Sequence, residues 1–165
     1  MTTAQVPVFV IARQFAASPQ RVYEAWADPA KMAQWSGPKG SKVEILRGTQ
    51  VAGQATIART ASPDGPEMFS LCLWRELAPY RRVVWEQSFC TGEGVKCPPP
   101  FFNDWPRTLL TEVDLEPRDG GTWLTLKWTP VEYTEAALAM FVQQMASMTG
   151  GWTGSLEKLE EWLAA

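Results

Sequence analysis

The most extended hydrophobic pattern lies near the C-terminal end of the chain. Between Thr134 and Leu163, apolar residues recur mostly at steps of three or four, which keeps them on one side of an α-helix. These residues are Leu138, Phe141, Val142, Met145, Met148, Trp152, Leu156, Leu159 and Leu163. Such a helix would be about 45 Å long at ~1.5 Å per residue, so it needs a broad apolar surface to lie on. Thr134 is suited to cap its start.

Three glycines, Gly150, Gly151 and Gly154, interrupt this pattern. Each costs about 1 kcal/mol relative to alanine inside a helix. Two interpretations follow. The segment forms two helices with a break, or it forms one helix that is thinned there so that another group approaches closely.

Upstream, apolar and polar residues alternate with a period of two, which predicts strands. One strand precedes a pair of short helices and six strands follow it. The predicted strands span residues 6–15, 41–47, 53–61, 68–77, 82–89, 108–116 and 122–128. Ser18-Pro19 and Asp28-Pro29 each join a good N-cap to a proline suited to the first helical turn, so helices are expected over 19–27 and 29–35. Pro130 is expected to end the last strand.

Tight turns join most of the consecutive strands, which predicts an antiparallel sheet. One face of this sheet is charged and the other is apolar and must be covered. The predicted fold class is α+β: about seven strands in the order β-α-α-β6-α, curved around the long C-terminal helix. We expect one domain over residues 1–165, with a hollow between sheet and helix.

Residues 91–106 form the one irregular stretch, with three consecutive prolines followed by Phe101, Phe102 and Trp105. The prolines exclude a central strand. The three aromatic residues fit a plug that folds back onto the domain. They also fit a lid over a cavity, or a contact between two copies of the chain.

Composition and charge narrow the function classes. The net charge is −3 and no basic run exceeds two residues, which argues against nucleic-acid binding. No run of 18 apolar residues predicts a membrane span. The N-terminus lacks the pattern of a signal peptide, and the number of cysteines, three, is odd, so we expect a cytoplasmic protein.

The chain contains no histidine, which excludes imidazole-based catalysis and histidine-containing zinc sites. The spacing of Cys72, Cys90 and Cys97 does not match a zinc site. Cys72 lies in the middle of a predicted strand and is expected in the core, whereas the other two flank the irregular stretch. We expect no metal and no cofactor.

Four motifs then occur in a familiar order. They are RQFAASP at 13–19 followed by VY and AW, DP with QW and GP between 28 and 38, GGT followed by WTP between 120 and 130, and SMTGGW at 147–152. In this order they resemble bacterial members of the START-like (SRPBCC) superfamily with the helix-grip fold, and among these the proteins related to the activator of the Hsp90 ATPase. Ser36 replaces a second tryptophan of many relatives, and Val51-Ala52-Gly53 replaces a usual Gly-Gly pair. A ligand preference is therefore not carried over.

The resemblance implies a cavity between the sheet and the last helix. Relatives bind lipids, sterols, polyketides or other apolar molecules, some catalyse cyclisation or hydration, and some act on a chaperone. In this fold the middle of the last helix faces the hollow. We therefore expect one continuous helix, in which Gly150, Gly151 and Gly154 thin the wall and Trp152 lies at the cavity edge.

The first hypothesis is a non-catalytic protein that binds a small apolar or aromatic ligand. The residues expected to line its cavity are Trp35, Arg59, Trp85, Leu124, Trp128, Phe141, Met145, Met148 and Trp152. The lid would comprise Phe101, Phe102 and Trp105.

Two alternatives belong to other classes. A polyketide cyclase or hydratase would need an acid or base in the hollow, yet parity puts Glu86, Glu112 and Asp114 on the wet face. Arg59, expected to face inward with Ile57, would orient an anion but could not act as a base. The other alternative is a chaperone cofactor or a homodimer that uses the 101–105 loop as an apolar contact.

Overall fold

The structure, a computed structural model, describes residues 6–165, so the first five residues of the predicted domain lie outside it. Its elements in chain order are β1 (Phe9–Phe15), α1 (Pro19–Ala27), α2 (Pro29–Trp35), β2 (Lys42–Gly48), β3 (Ala55–Ala61), β4 (Met68–Ala78), β5 (Arg82–Cys90), β6 (Thr108–Arg118), β7 (Gly121–Glu132), α3 (Glu135–Gln143) and α4 (Met145–Ala164). The predicted succession of one strand, two helices, six strands and a helical C-terminal segment is confirmed.

The strands form one antiparallel sheet in the order β1-β7-β6-β5-β4-β3-β2. Strands β2 to β7 pair with their sequence neighbours through hairpins. The first strand pairs with the last, from Phe9 opposite Trp128 to Phe15 opposite Thr122. Strands β1 and β2 are therefore the two edges of the sheet, and α1 and α2 form the connection between them.

Shared caps fix the two short helices. Ser18 Oγ accepts a hydrogen bond from the Arg21 backbone N–H (3.3 Å) at the start of α1. The Asp28 backbone N–H donates to Glu24 O (3.0 Å) at the end of α1, and Asp28 Oδ1 accepts from the Ala30 N–H (2.9 Å) at the start of α2. Because Asp28 serves both helices, their relative direction is set within one residue.

The prediction of one continuous C-terminal helix is wrong. The break lies at Gln144, with φ −93° and ψ 5°, where its N–H donates to both Met140 O and Phe141 O in a tightened last turn. The three glycines lie inside α4 and do not break it. Thr134 caps α3 as expected, because its Oγ1 accepts from the Ala137 N–H (3.1 Å).

Two further expectations about this region are corrected. Val142 is 48% exposed, since one residue after Phe141 it lies about 100° further around the helix. Pro130 does not end β7, which runs on to Glu132 with Pro130 opposite Leu109. The pairing register shifts between Thr108 and Leu109, and such an irregularity tolerates the missing N–H of proline.

The core lies between the concave face of the sheet and the helices. Four indoles have 1% or less of their surface exposed, Trp26, Trp35, Trp74 and Trp85, and burial on this scale stabilises the fold. Helix α4 packs on this core through Leu156, Leu159 and Leu163.

The outer face of the sheet is charged. Arg82 binds Glu112 (2.6 Å) and Asp114 (2.7 Å) on the neighbouring strand, and Arg75 pairs with Glu86. These three carboxylates lie on the wet face, as parity predicted. In residues 6–165, no helix is both long and apolar enough to cross a membrane.

The double role of Asp28 gives a stability test. Asp28→Ala should lower the free energy of unfolding by about 1 kcal/mol, because the first N–H groups of α2 lose their acceptor. Asp28→Asn should be nearly neutral, since asparagine caps as well as aspartate does. Urea denaturation monitored by circular dichroism measures both. An unchanged alanine variant, or an asparagine variant as unstable as alanine, would contradict the capping role.

Candidate functional site

A cavity of about 310 Å³ lies between the sheet, α2 and α4. Alternate residues of three adjacent strands form one wall: Thr56, Ala58 and Thr60 of β3, Met68, Ser70, Cys72 and Trp74 of β4, and Trp85, Gln87 and Phe89 of β5. The opposite wall consists of Trp26, Met32, Trp35, Met148, Gly151, Trp152 and Ser155, with the loop at 36–38 beside them.

Aromatic rings form much of this lining. The Trp26 ring lies at the centre, with ring centroids 4.6 Å from Trp35, 5.9 Å from Trp85 and 6.2 Å from Trp152. Trp152 in turn contacts Trp128 edge to face at 5.3 Å. Indoles give a large and rigid apolar surface, which suits contact with a flat apolar molecule.

The polar groups of the lining are neutral, and several already form hydrogen bonds within the protein. The Trp74 Nε1–H donates to Thr56 Oγ1 (3.1 Å), and Ser155 Oγ donates to Gly37 O (3.1 Å). Burial raises the pKa of the Cys72 thiol to about 12, so this group is neutral as well. Within the part of the chain that the structure describes, no Asp, Glu, Lys or Arg lines the cavity.

Five of the residues predicted from the sequence lie in the cavity wall: Trp35, Trp85, Trp128, Met148 and Trp152. Three others lie in or against the packed core outside it. Leu124 and Phe141 are completely buried there, and Met145 packs against the core cluster while partly exposed. The structure brings the first group together around one space, and their role toward a ligand stays a prediction.

The expectation that Arg59 faces the cavity is wrong. Its neighbours Ala58 and Thr60 line the cavity, so Arg59 points to the outer face, where its Nη2 contacts Glu44 Oε2 at 2.6 Å. The prediction assumed that Ile57, which is apolar and has the same parity as Arg59, faces the cavity. Ile57 is instead buried on the outer face of the sheet. The 91–96 loop covers it so closely that a Cβ on Gly94 would lie 2.8 Å from Ile57 Cδ1.

Sequence reasoning missed the loop that borders the cavity between α2 and β2. Lys158 of α4 donates from Nζ to the backbone oxygens of Ser36 (3.0 Å), Gly37 (3.3 Å) and Pro38 (3.3 Å). Its partial burial lowers the pKa of Lys158. The helix therefore holds this loop in place with a side chain that stays outside the cavity. The GP motif at 37–38 was part of the family resemblance, but nothing in the sequence linked it to Lys158.

The aromatic residues of the irregular stretch divide between two roles. Trp105 packs toward the core, with its ring 6.0 Å from Phe141 and stacked on Phe102 at 5.1 Å. Phe101 is 52% exposed and borders both the first cavity and a second one of about 280 Å³. Trp105 thus fits the plug that we expected, whereas Phe101 lies where a lid would.

The cysteines are buried to different degrees. Cys72 and Cys90 are buried and Cys97 is half-buried, and all three are free thiols. Burial raises the pKa of Cys90 as it does that of Cys72. Among the described residues, no group of three or more cysteines and carboxylates could hold a metal ion.

A seven-stranded sheet curved around a C-terminal helix, with an apolar cavity between them, defines the helix-grip class of START-like proteins. The chain belongs to the family of Activator of Hsp90 ATPase homolog 1-like proteins, whose model matches residues 16–164. The resemblance read from the motifs is thereby confirmed. Comparison with curated proteins gave no match.

Solved structures share this fold over nearly their whole length. A protein from Arthrobacter aurescens is 22% identical, with 99% of this chain and 92% of that one aligned at a TM-score of 0.77. A Mycobacterium smegmatis protein is 18% identical, with 96% of this chain and 94% of that one aligned at a TM-score of 0.76. The AHSA1 protein of Silicibacter pomeroyi is 19% identical, with 96% of this chain and 98% of that one aligned at a TM-score of 0.72.

The burial of the cysteines predicts their reactivity. At pH 8 only Cys97 should react quickly with a thiol reagent such as DTNB. A thiol with a pKa of about 12 is ionised in roughly one molecule in 10,000 at that pH, and only the thiolate reacts. Absorbance should show one fast equivalent in the native protein and three in urea. Cys97→Ser should remove the fast phase, and two or three fast equivalents in the native protein would contradict the assignment.

Proposed function

We propose that this protein binds a small, neutral, apolar or aromatic molecule in the 310 Å³ cavity, without chemical conversion. The observation that carries this proposal is the lining of indoles and neutral polar groups around a space between sheet and helix. Ligand sites in proteins are typically lined by apolar and aromatic side chains with a few polar groups, and occupy about 300 to 1,000 Å³. This cavity lies at the small end of that range, which favours a compact ligand.

The neutrality of the lining sets the charge of the ligand. Moving an ion into an apolar site is costly unless an opposite charge is there to pair with it. Lys158, which holds the loop at the cavity border, is engaged with backbone carbonyls, and Arg59, between two lining residues of β3, is paired with Glu44. A neutral molecule therefore fits the cavity better than a carboxylate or an amine.

The same lining favours binding over catalysis by proton transfer. A cyclase or hydratase of the type considered above needs an acid or base beside the ligand. The cavity residues in the described part of the chain supply hydroxyls, amides and a thiol whose pKa is about 12. A chaperone or a second copy as partner has less support, because only Phe101 among the three loop aromatics is more than half exposed.

Helix α4 has a glycine, Gly151, at the border of the cavity, where a larger residue would place its side chain. Gly151 borders the cavity, and a Cβ placed on it would meet nothing within 4 Å. Gly150 has equally open surroundings but does not border the cavity. These two adjacent glycines therefore separate the effect of filling the cavity from the effect of adding a side chain to α4.

Gly151→Leu should abolish or strongly weaken binding of an aromatic probe such as 2-methylnaphthalene, because the added side chain takes up cavity space. Gly150→Leu is the matched control and should bind like the wild type. Both variants should remain folded, since leucine favours a helix over glycine by roughly 1 kcal/mol. Equilibrium dialysis gives the affinities, and urea denaturation gives the stabilities.

Two results would count against the proposal. The first is wild-type protein that binds no neutral aromatic probe. The second is Gly151→Leu protein that is folded and binds as tightly as Gly150→Leu. Unfolding of Gly151→Leu alone would show that Gly151 serves helix–sheet packing, which the open space around its Cβ position argues against.

A further inference from the structure

One side chain in the cavity wall has an unused hydrogen-bond acceptor. Gln50, in the turn after β2, is 6% exposed, and its Nε2 donates to Trp26 O at 2.5 Å. A backbone carbonyl only accepts hydrogen bonds, so this contact fixes which end of the amide is nitrogen. The other end, Oε1, is buried and has no partner.

The neighbouring Trp26 has an unused donor. Its side chain is completely buried, and its Nε1–H has no partner. Three other buried indoles and the partly buried Trp128 each have an oxygen acceptor for the ring N–H. Acceptor oxygens are present for Trp35 (Ala25 O, 2.9 Å), Trp74 (Thr56 Oγ1, 3.1 Å), Trp85 (Gln87 Oε1, 3.3 Å) and Trp128 (Thr111 Oγ1, 2.8 Å).

Ring contacts do not replace the missing acceptor. Trp26 lies edge to face on Trp35, with the planes at 72°, and a ring face is a weaker acceptor than an oxygen. Folded proteins pair nearly all buried polar groups. In residues 6–165, three buried side-chain atoms lack a partner, and two of them belong to these adjacent cavity residues; the third is Gln14 Oε1.

We propose that Trp26 and Gln50 form the polar end of the cavity and recognise a hydroxyl group on an otherwise apolar ligand. This inference rests on the proposed function of the same cavity. A hydroxyl both accepts and donates hydrogen bonds, so it matches in kind the unpaired indole N–H of Trp26 and the unpaired amide oxygen of Gln50. A ketone oxygen only accepts hydrogen bonds, so it would pair with the Trp26 Nε1–H and leave Gln50 Oε1 without a donor. The ligand class is thus a neutral alcohol or phenol, oriented with its oxygen toward the end of α1.

Access to the two atoms requires a small movement of the wall. Both atoms are buried in the structure. The Met32 side chain also lines the cavity, and its Sδ lies 3.9 Å from Gln50 Nε2. Methionine is unbranched and changes rotamer readily, so Met32 gives this part of the wall freedom to rearrange around a ligand.

Two probes of nearly equal shape test the inference. 2-Naphthol carries the hydroxyl, and 2-methylnaphthalene carries a methyl group in its place. Their dissociation constants are measured by equilibrium dialysis for the wild type, for Gln50→Met and for Trp26→Phe. Gln54→Met is the matched control, since Gln54 is an exposed residue of the same turn and does not line the cavity.

In the wild type, the ratio of the 2-methylnaphthalene to the 2-naphthol dissociation constant should be at least tenfold higher than in Gln50→Met. Loss of one hydrogen bond to a buried, otherwise unsatisfied group accounts for a change of this size. Trp26→Phe should lower the ratio in the same direction, and Gln54→Met should leave it unchanged.

The outcomes separate this inference from the proposed function. If 2-methylnaphthalene binds but the ratio in Gln50→Met stays within threefold of the wild type, the polar end is refuted and the apolar cavity stands. An equal change in Gln54→Met would also refute it. If neither probe binds the wild type, both proposals fail. Should Gln50→Met not fold, Trp26→Phe decides the question by the same ratio.

Discussion

The structure depends on how helix α4 covers the concave face of the sheet. Its C-terminal half packs tightly there, because Leu156 and Leu159 are completely buried and Leu163 nearly so. Its N-terminal half carries three glycines, two methionines and one aromatic residue, Trp152, which reaches the rings of Trp26 and Trp128. One end of the helix thus anchors it, while the other spans a space that it does not fill. The cavity follows from this uneven covering.

Charged side chains of the sheet and of α4 are held by contacts outside the cavity. Arg82 holds two carboxylates on the outer face, and Lys158 turns its ammonium group toward carbonyls of the 36–38 loop. Each charge is paired or hydrogen-bonded where it lies, so none needs to enter the cavity. The lining is left to indoles, methionines and neutral polar groups. The contacts that hold these charges therefore also leave the cavity lining neutral, and the proposed preference for a neutral ligand depends on that lining.

Sequence patterns predicted the elements well because each strand and helix carries its own period and end signals. Asp28-Pro29 placed α2 correctly, and the alternation along β6 assigned Glu112 and Asp114 to the wet face. The patterns failed where distant residues decide. Arg59 was assigned to the wrong face because Ile57 is buried by a remote loop, and the helix break at Gln144 has neither glycine nor proline to mark it. Gln50 lies in a turn without periodicity, so nothing in the sequence indicated that it reaches the cavity.

The most direct test of the central claim is an NMR titration that follows the indole N–H signals of the tryptophans as 2-methylnaphthalene is added. The signals of the cavity residues, Trp26, Trp35, Trp74, Trp85, Trp128 and Trp152, should shift together and saturate with one dissociation constant. Trp123 and Trp162 do not line the cavity, and their signals should stay in place. Shifts confined to Trp123 and Trp162, or no saturable shift at any cavity tryptophan, would contradict a ligand-binding space between the sheet and α4.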